Sequence, residues 1–216
     1  MTLVFHGHPL SSYCWKVLIA LYENGTPFEQ KLVDLGDPDG RAAFAALWPI
    51  AKMPVLEDRA RGEAVAETTI IIDYLDRHYP GPVRFLPEDP ERARETRFWD
   101  RVYDLYVQGP MQRIVGDRLR PEGQKDPFGV AEARALLATA LDMVERELGD
   151  KMWATGDDFT LADCAAMPAL YYADKVAPFG DARPHATALL ERLKARPSVA
   201  RVLAEAAPYF RYFPTE

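Results

Sequence analysis

The chain has 216 residues, of which 48% are hydrophobic and 27% are charged, and its formal net charge is -7. This length and composition allow one large domain or two small ones and exclude an intrinsically disordered chain. The basic residues are scattered among acidic ones, whereas a nucleic-acid-binding protein usually carries a basic patch, so we expect no nucleic-acid partner.

Strand and helix patterns alternate in the first third of the chain. Residues 3–5 are a short apolar run before a turn and predict a buried strand. A helix follows from Ser11, where apolar residues recur at helical spacing: Trp15, Leu18, Ile19 and Tyr22. Asn24 and Gly25 end it, and residues 28–33 predict a second strand, which would pair in parallel with the first as a βαβ unit.

The pattern continues to a proline-rich boundary. Residues 37–48 predict a short helix, residues 54–66 a β-hairpin and residues 68–79 another helix, so the order of elements is βαβαββα. Proline and glycine then occupy five of the eleven positions from 80 to 90, which sustains neither helix nor sheet. We therefore predict an α/β domain, a linker and an all-helical domain, over residues 1–80, 81–89 and 90–216.

Helical periodicity dominates the second domain. One predicted helix face is marked by Phe98, Val102, Leu105 and Tyr106, and another by Leu137, Ala140, Leu141, Val144 and Leu148. Later helices are predicted over residues 161–176 and 184–195, with a short one after Pro197. Thr160 and Asp163 match a capping box, for which we expect a structural role.

The segment from Ser11 to Val17 lies where a turn opens the first helix. A helix N-terminus presents unpaired N–H groups and the positive end of the helix dipole, which favour a bound anion. A thiolate held there is stabilised, because its pKa falls below the value of about 8.5 of a free thiol. A serine hydroxyl can donate a hydrogen bond to such a sulfur. The alternative is that Ser11 serves only as the N-cap.

Four segments in register carry a resemblance to a known family. Residues 11–21 are similar to the active-site helix of serine-type glutathione transferases, and to the Ser-Ser-x-x-Trp-Arg-Val run of the zeta class. Residues 52–56 resemble the family's Val-Pro-x-Leu segment, residues 67–68 its Glu-Ser pair and residues 159–163 the cap of its sixth helix. The chain is identified as a member of the cytosolic glutathione transferase superfamily, which implies a thioredoxin-like domain followed by a helical bundle.

The resemblance also implies a glutathione site. Ser11 would ionise the thiol with Ser12 beside it, and which of the two contacts the sulfur stays open. Met53, before a cis Pro54, would pair through its backbone with the glutathione peptide. The charged ends of glutathione would be held by Lys52 at the glycyl carboxylate, Glu67 at the ammonium and Thr68 at the γ-glutamyl carboxylate. The residues alone also allow a surface lysine, a trans proline and an ordinary acidic helix start.

A second pocket is implied between the domains. Its proposed lining consists of Leu10, Tyr106, Met111 and Arg113, although aromatic and methionine side chains at helical spacing are often core residues. Tyr13 stands at the position of a zeta-class cysteine, which argues against isomerase activity. Cys14 lies where glutaredoxins have the second cysteine of Cys-Pro-Tyr-Cys, but serine replaces their nucleophile and cannot form a mixed disulfide, so we expect a packed thiol.

These observations favour an enzyme that adds the thiolate of glutathione to a small hydrophobic electrophile, as in detoxification. The alternatives are a zeta-like isomerase and a non-catalytic glutathione-binding carrier or interaction module. The family implies a homodimer. We expect no metal, because the four histidines form no convincing ligand cluster. The absence of a signal-peptide pattern or long apolar span, with only two distant cysteines, predicts a cytoplasmic protein without membrane partners.

Overall fold

A four-stranded mixed sheet forms the centre of the N-terminal domain in the computed structural model, which describes residues 2–214. Its strands are β1 (Leu3–Gly7), β2 (Glu29–Leu32), β3 (Val55–Asp58) and β4 (Glu63–Ala66), in the order β2-β1-β3-β4. The pairing of β1 with β2 is parallel, whereas β1 with β3 and β3 with β4 are antiparallel. The predicted parallel pair and hairpin are therefore confirmed.

Three helices cover this sheet: α1 (Ser12–Glu23), α2 (Pro38–Leu47) and α3 (Thr68–His78). The apolar faces of α1 and α3 share one core with β1 and β3, because alternate strand residues such as Phe5 and Leu56 point toward them. A smaller cluster lies under α2 on the opposite face, around Val33, Phe44 and Val55. The sheet thus has helices on both faces, as in the thioredoxin-like architecture implied by the resemblance.

The second domain is helical throughout its regular structure. Its elements are α4 (Pro90–Val102), a π-helix (Tyr103–Gln108), α5 (Gly109–Arg118), α6 (Pro127–Leu148), α7 (Leu161–Val176), α8 (Pro184–Lys194) and α9 (Pro197–Ala206), with 3-10 turns at Gly180–Ala182 and Ala207–Tyr212. Proline begins α4, α6, α8 and α9, where its missing N–H leaves no helical hydrogen bond unmade. No helix within residues 2–214 is both long and apolar enough to cross a membrane.

The segment between α3 and α4 is fastened to the N-terminal domain. Residues 79–89 contain no helix or strand. The Asp76 carboxylate accepts hydrogen bonds from the N–H groups of Phe85 and Leu86, at 3.2 and 3.1 Å. The predicted domain limits stay predictions, and their outer ends, residue 1 and residues 215–216, lie outside the described residues.

The face predicted for α4 is not the buried one. Of its four apolar residues only Val102 is in the core, whereas Phe98, Leu105 and Tyr106 are about half exposed. The π-helix adds a residue to the turn and shifts Leu105 and Tyr106 around the axis, whereas Phe98 precedes it and lies on the solvent side of α4 itself. In contrast, the predicted apolar face of α6 is fully buried, as are both sides of α7 from Leu161 to Leu170.

Candidate functional site

A cavity of about 390 Å³ opens between the two domains. The N-terminal domain contributes the first residues of α1 and α3 and the loop before β3. The helical domain contributes residues of α4, the π-helix and α5. A pocket at a domain interface, with two helix N-termini in its wall, is suited to a ligand that carries negative charge.

Ser11 stands in the wall of this cavity as the N-cap of α1. Its Oγ accepts a hydrogen bond from the N–H of Cys14 at 3.3 Å. The same hydroxyl lies within hydrogen-bond reach of the Cys14 thiol. A hydroxyl that accepts at its oxygen keeps one proton to donate and can rotate, so Ser11 can also donate to a ligand in the cavity. The capping role and a role toward a bound anion are therefore compatible.

Ser12 occupies a different position, although it is the next residue. It is only 5% exposed and does not line the cavity. Its Oγ accepts a hydrogen bond from the side-chain amide of Gln108 and a longer one, at 3.5 Å, from that of Gln112. The geometry thus directs Ser11 toward the cavity and Ser12 toward the helical domain.

The loop before β3 provides an extended backbone edge. The Met53–Pro54 peptide bond is cis, which confirms that expectation. Neither the N–H nor the C=O of Met53 forms a hydrogen bond within the part of the chain that is described, so both remain available to an extended peptide. Lys52 is exposed and lines the same cavity.

Glu67 and Thr68 form the start of α3 at the cavity wall. Glu67 has φ 68° and ψ 119°, a conformation that costs a non-glycine residue about 1–3 kcal/mol. Ala51, with φ 52°, is the other non-glycine residue of positive φ among residues 2–214, and it also lines the cavity. Strained backbone of this kind is concentrated at binding sites, and here both examples meet at one cavity.

A cluster of charged side chains lies at the helical wall of the cavity. The ammonium of Lys16, fully buried in α1, is paired with Asp100 and, at 2.7 Å, with Asp104. Arg101 contacts both carboxylates, and the hydroxyl of Thr69 donates to Asp100 at 2.7 Å. Burial raises the pKa of Asp104 despite the nearby cations. Two cations and two anions balance, so the cluster is formally neutral.

This charged cluster was not predicted from the sequence. A signal was present, because Lys16 interrupts an otherwise apolar run in α1 and a buried lysine needs an anionic partner. Its partners follow more than 80 residues later, and nothing local identifies them. Arg101 and Asp104 also line the cavity, so the cluster belongs to its wall.

Two further residues of α1, Tyr13 and Cys14, lie in different surroundings. Tyr13 lines the cavity and its hydroxyl donates to the backbone C=O of Asp104 at 3.4 Å. Burial raises the pKa of Tyr13 to about 12, so its hydroxyl stays neutral near pH 7. Cys14 is completely buried, and burial raises the pKa of its thiol to about 11. The expectation of a packed Cys14 thiol is confirmed.

The four residues predicted to line a second-substrate pocket do not line this cavity. Met111 is in the core, Tyr106 is exposed, and Leu10 is half-buried beside Ser11. Arg113 is paired with Asp126 and Glu132, at 3.4 and 3.6 Å. The helical wall is formed instead by neighbours such as Leu105 and Gln112. The assignment of these four residues to a second substrate stays a prediction.

The described part of the chain contains no candidate metal-binding cluster. No group of three or more His, Cys, Asp or Glu side chains in residues 2–214 is arranged to hold a metal ion. His6, which lies near the end of β1, is paired with Glu57 at 3.1 Å on the α2 face of the sheet. The polar side chains that line the cavity include the hydroxyls of Ser11, Tyr13 and Thr68 and several charged groups.

Comparisons with known proteins agree with this geometry. Residues 5–83 match the family model "Glutathione S-transferase, N-terminal domain", and residues 102–197 match "Glutathione S-transferase, C-terminal domain". A glutathione S-transferase of Silene vulgaris is 31% identical over 217 residues, covering 94% of this chain and 98% of that protein. A probable maleylacetoacetate isomerase of Caenorhabditis elegans is 29% identical over 175 residues, or 80% of this chain and 79% of that one.

A comparison with solved structures shows the same similarity at the level of the fold. The glutathione S-transferase of Methylobacterium radiotolerans, determined in complex with glutathione sulfonate, superposes with a TM-score of 0.81. It is 31% identical in sequence, and the match covers 93% of both chains. The sheet, the helical domain and the sequence matches across nearly the whole length lead to one conclusion: this chain belongs to the glutathione S-transferase family.

Proposed function

We propose that this protein binds glutathione in the cavity between its domains, ionises it with the help of Ser11, and adds the thiolate to a small hydrophobic electrophile. One observation carries the proposal. The N-terminal ends of α1 and α3 and the cis Met53–Pro54 segment converge on a single cavity. Each of them offers a group that a different part of the tripeptide requires.

The ends of glutathione match the charges available around the cavity. The γ-glutamyl carboxylate would lie at the N-terminus of α3, held by Thr68 and unpaired N–H groups, with Glu67 paired to the ammonium. The cysteinyl peptide would align with the free backbone groups of Met53. Lys52 would pair with the glycyl carboxylate. This arrangement would bring the sulfur to the N-terminus of α1.

Thiolate formation is the chemical step assigned to Ser11. A free thiol with a pKa of about 8.5 is mostly protonated at neutral pH. A hydrogen bond from Ser11 together with the α1 dipole would favour the thiolate, and a fall of about 2 in the pKa corresponds to about 2.7 kcal/mol. The electrophile would then be attacked from a fixed position, which adds the advantage of proximity.

The test is calorimetric titration of glutathione into the wild type, Ser11→Ala and Ser12→Ala, with the bound thiolate followed by ultraviolet absorbance. We expect all three proteins to bind glutathione and only Ser11→Ala to lose the thiolate signal. Loss of the signal in Ser12→Ala alone would transfer the role to Ser12. If none of the proteins binds glutathione, the transferase function is wrong for this chain.

Isomerisation is the second candidate, and the likeness to the probable maleylacetoacetate isomerase of C. elegans favours it. Tyr13 at the position of the zeta-class cysteine argues against it. Glutathione consumption separates the two, because conjugation uses glutathione stoichiometrically whereas an isomerase returns it. A binding module without activity would bind glutathione but show no turnover with a model electrophile.

We also propose a homodimer, a cytoplasmic location and a role in detoxification, as the family resemblance implies. The dimer is supported by large apolar side chains that are exposed outside the cavity: Ile70, Phe98 and Tyr106. Thr69, next to Ile70 on α3, is hydrogen-bonded to Asp100 and Arg101 on α4, so the two helices approach one another here. Large apolar side chains exposed on two adjoining helices are the kind of surface that a protein–protein contact would cover. The two free thiols, both buried, fit a reducing compartment.

A further inference from the structure

The loop that presents Ser11 is hydrogen-bonded at every carbonyl from Gly7 to Ser11. The donors are the N–H of Val33 to Gly7 (2.9 Å), the N–H of Ser11 to His8 (2.9 Å), the indole N–H of Trp15 to Pro9 (2.5 Å), the hydroxyl of Tyr172 to Leu10 (2.9 Å) and the N–H of Trp15 to Ser11 (3.1 Å). A loop with no free carbonyl has little freedom to rotate its peptide planes, so the position of Ser11 is closely defined.

Among these five donors, Tyr172 alone comes from the helical domain. It lies on α7, 162 residues after Leu10 in sequence, and is only 3% exposed. Its ring packs against Trp15, with ring centres 5.0 Å apart, and against Phe210 and Phe213 of the C-terminal segment. The phenol is therefore held from both sides and directed at the peptide that links Leu10 to Ser11.

We infer that Tyr172 is a positioning residue, which holds the Leu10–Ser11 peptide so that the Ser11 hydroxyl points at the sulfur of bound glutathione. This inference rests on the proposed function of Ser11. The strength of a hydrogen bond depends steeply on its angle and length, so a small rotation of this peptide changes how well Ser11 stabilises a thiolate. In this arrangement α7 and the C-terminal segment control thiol activation without touching glutathione.

The chain also provides a matched control. Tyr171 is the preceding residue on α7 and belongs to the same aromatic cluster, with its ring centre 5.0 Å from that of Trp15. Its hydroxyl forms no hydrogen bond within residues 2–214. Tyr171→Phe and Tyr172→Phe therefore remove the same atom from adjacent positions, but only the second removes a bond to the Ser11 loop.

The experiment is a pH titration of the thiolate absorbance of bound glutathione in the wild type, Tyr172→Phe, Tyr171→Phe and Ser11→Ala. For Tyr172→Phe we expect the pKa of the bound thiol to rise by roughly 0.7, which lowers the thiolate fraction about fivefold at a pH below that pKa. Glutathione affinity should change less than twofold, since the cavity wall is intact. Tyr171→Phe should match the wild type.

Three outcomes contradict the inference, and they are distinguishable. If the wild type and Ser11→Ala differ but Tyr172→Phe titrates like the wild type, Tyr172 does not position Ser11. Equal shifts in both tyrosine variants would assign the effect to aromatic packing instead of the hydrogen bond. If the wild type itself shows no thiolate, the proposed function fails and this inference fails with it.

Discussion

Lys16 is a charged residue in the middle of the apolar side of α1, and its surroundings explain why the fold tolerates it. Asp100 and Asp104 pair with its ammonium, and both carboxylates are buried. Burying such groups is costly, but they compensate one another when all are present. The cluster also links α1 to α4 beside the cavity, so its integrity affects the site.

The substitution Lys16→Met should destabilise the protein by about 3–5 kcal/mol, because it leaves two buried carboxylates with only Arg101 as a cationic partner. Urea unfolding measures the change. The control is Arg77→Met, which removes an exposed partner of Asp73 on α3 and should leave the unfolding midpoint unchanged. Equal midpoints for Lys16→Met and the wild type would mean that the cluster contributes nothing to stability.

At the scale of elements, the N-terminus of α7 shows how one local motif secures a central helix. The predicted capping box is confirmed: Asp163 accepts hydrogen bonds from the N–H and hydroxyl of Thr160, at 2.9 and 3.1 Å. It also accepts one from the N–H of Ala154 at 2.8 Å, which ties the preceding loop to the helix. α7 packs against α1, α4 and the π-helix, so this cap supports the interface between the domains.

Asp163 should make stability depend on pH. Burial raises its pKa to about 6 in the folded protein, compared with about 3.9 when unfolded. A raised pKa favours folding while the group is protonated, so this contribution is complete below pH 4 and is lost as the pH rises through 6. The free energy of unfolding of the wild type relative to Asp163→Asn should therefore fall by up to about 3 kcal/mol between pH 4 and 7.

Urea titrations of both proteins at several pH values in this range measure that difference. A difference that grows with pH would show the opposite, namely that the three hydrogen-bond donors stabilise the carboxylate more than burial opposes it.

At the scale of the whole molecule, the π-helix has two consequences. It places Asp104 and Leu105 in the cavity wall, and it leaves Tyr106 about half exposed. The same local widening therefore shapes the site and the proposed dimer surface. π-helices are rare and are frequently found at functional sites, and this one fits that pattern.

If that surface joins two copies, the double substitution Ile70→Glu and Phe98→Glu should convert the dimer into a monomer. Placing carboxylates in an apolar contact opposes association through desolvation and like-charge repulsion. Sedimentation equilibrium would then give 24.4 kDa for the variant and twice that mass for the wild type. The control Phe128→Glu changes a side chain that is 73% exposed on α6 and should leave the mass unchanged. A monomeric wild type would contradict the proposal directly.

Sequence patterns predicted much of this molecule because many of its signals are local. The apolar spacing in α1, α6 and α7, the N-cap at Ser11 and the box at Thr160 each depend on residues within a few positions of one another. The resemblance added the cis bond before Pro54, which spacing alone could not identify. The same local reasoning failed at Leu105 and Tyr106, because it assumes 3.6 residues per turn and the π-helix breaks that period.

The sequence by itself determined the order of elements in the first domain, the caps at Ser11 and Thr160 and the family, since these depend on neighbouring residues and on motifs in register. The tertiary structure alone decided that Ser11 and not Ser12 faces the cavity, that Lys16 is neutralised by Asp100 and Asp104, and that Tyr172 holds the carbonyl of Leu10. The physical reason is that each of these depends on groups from distant parts of the chain, which approach one another only when the two domains pack together.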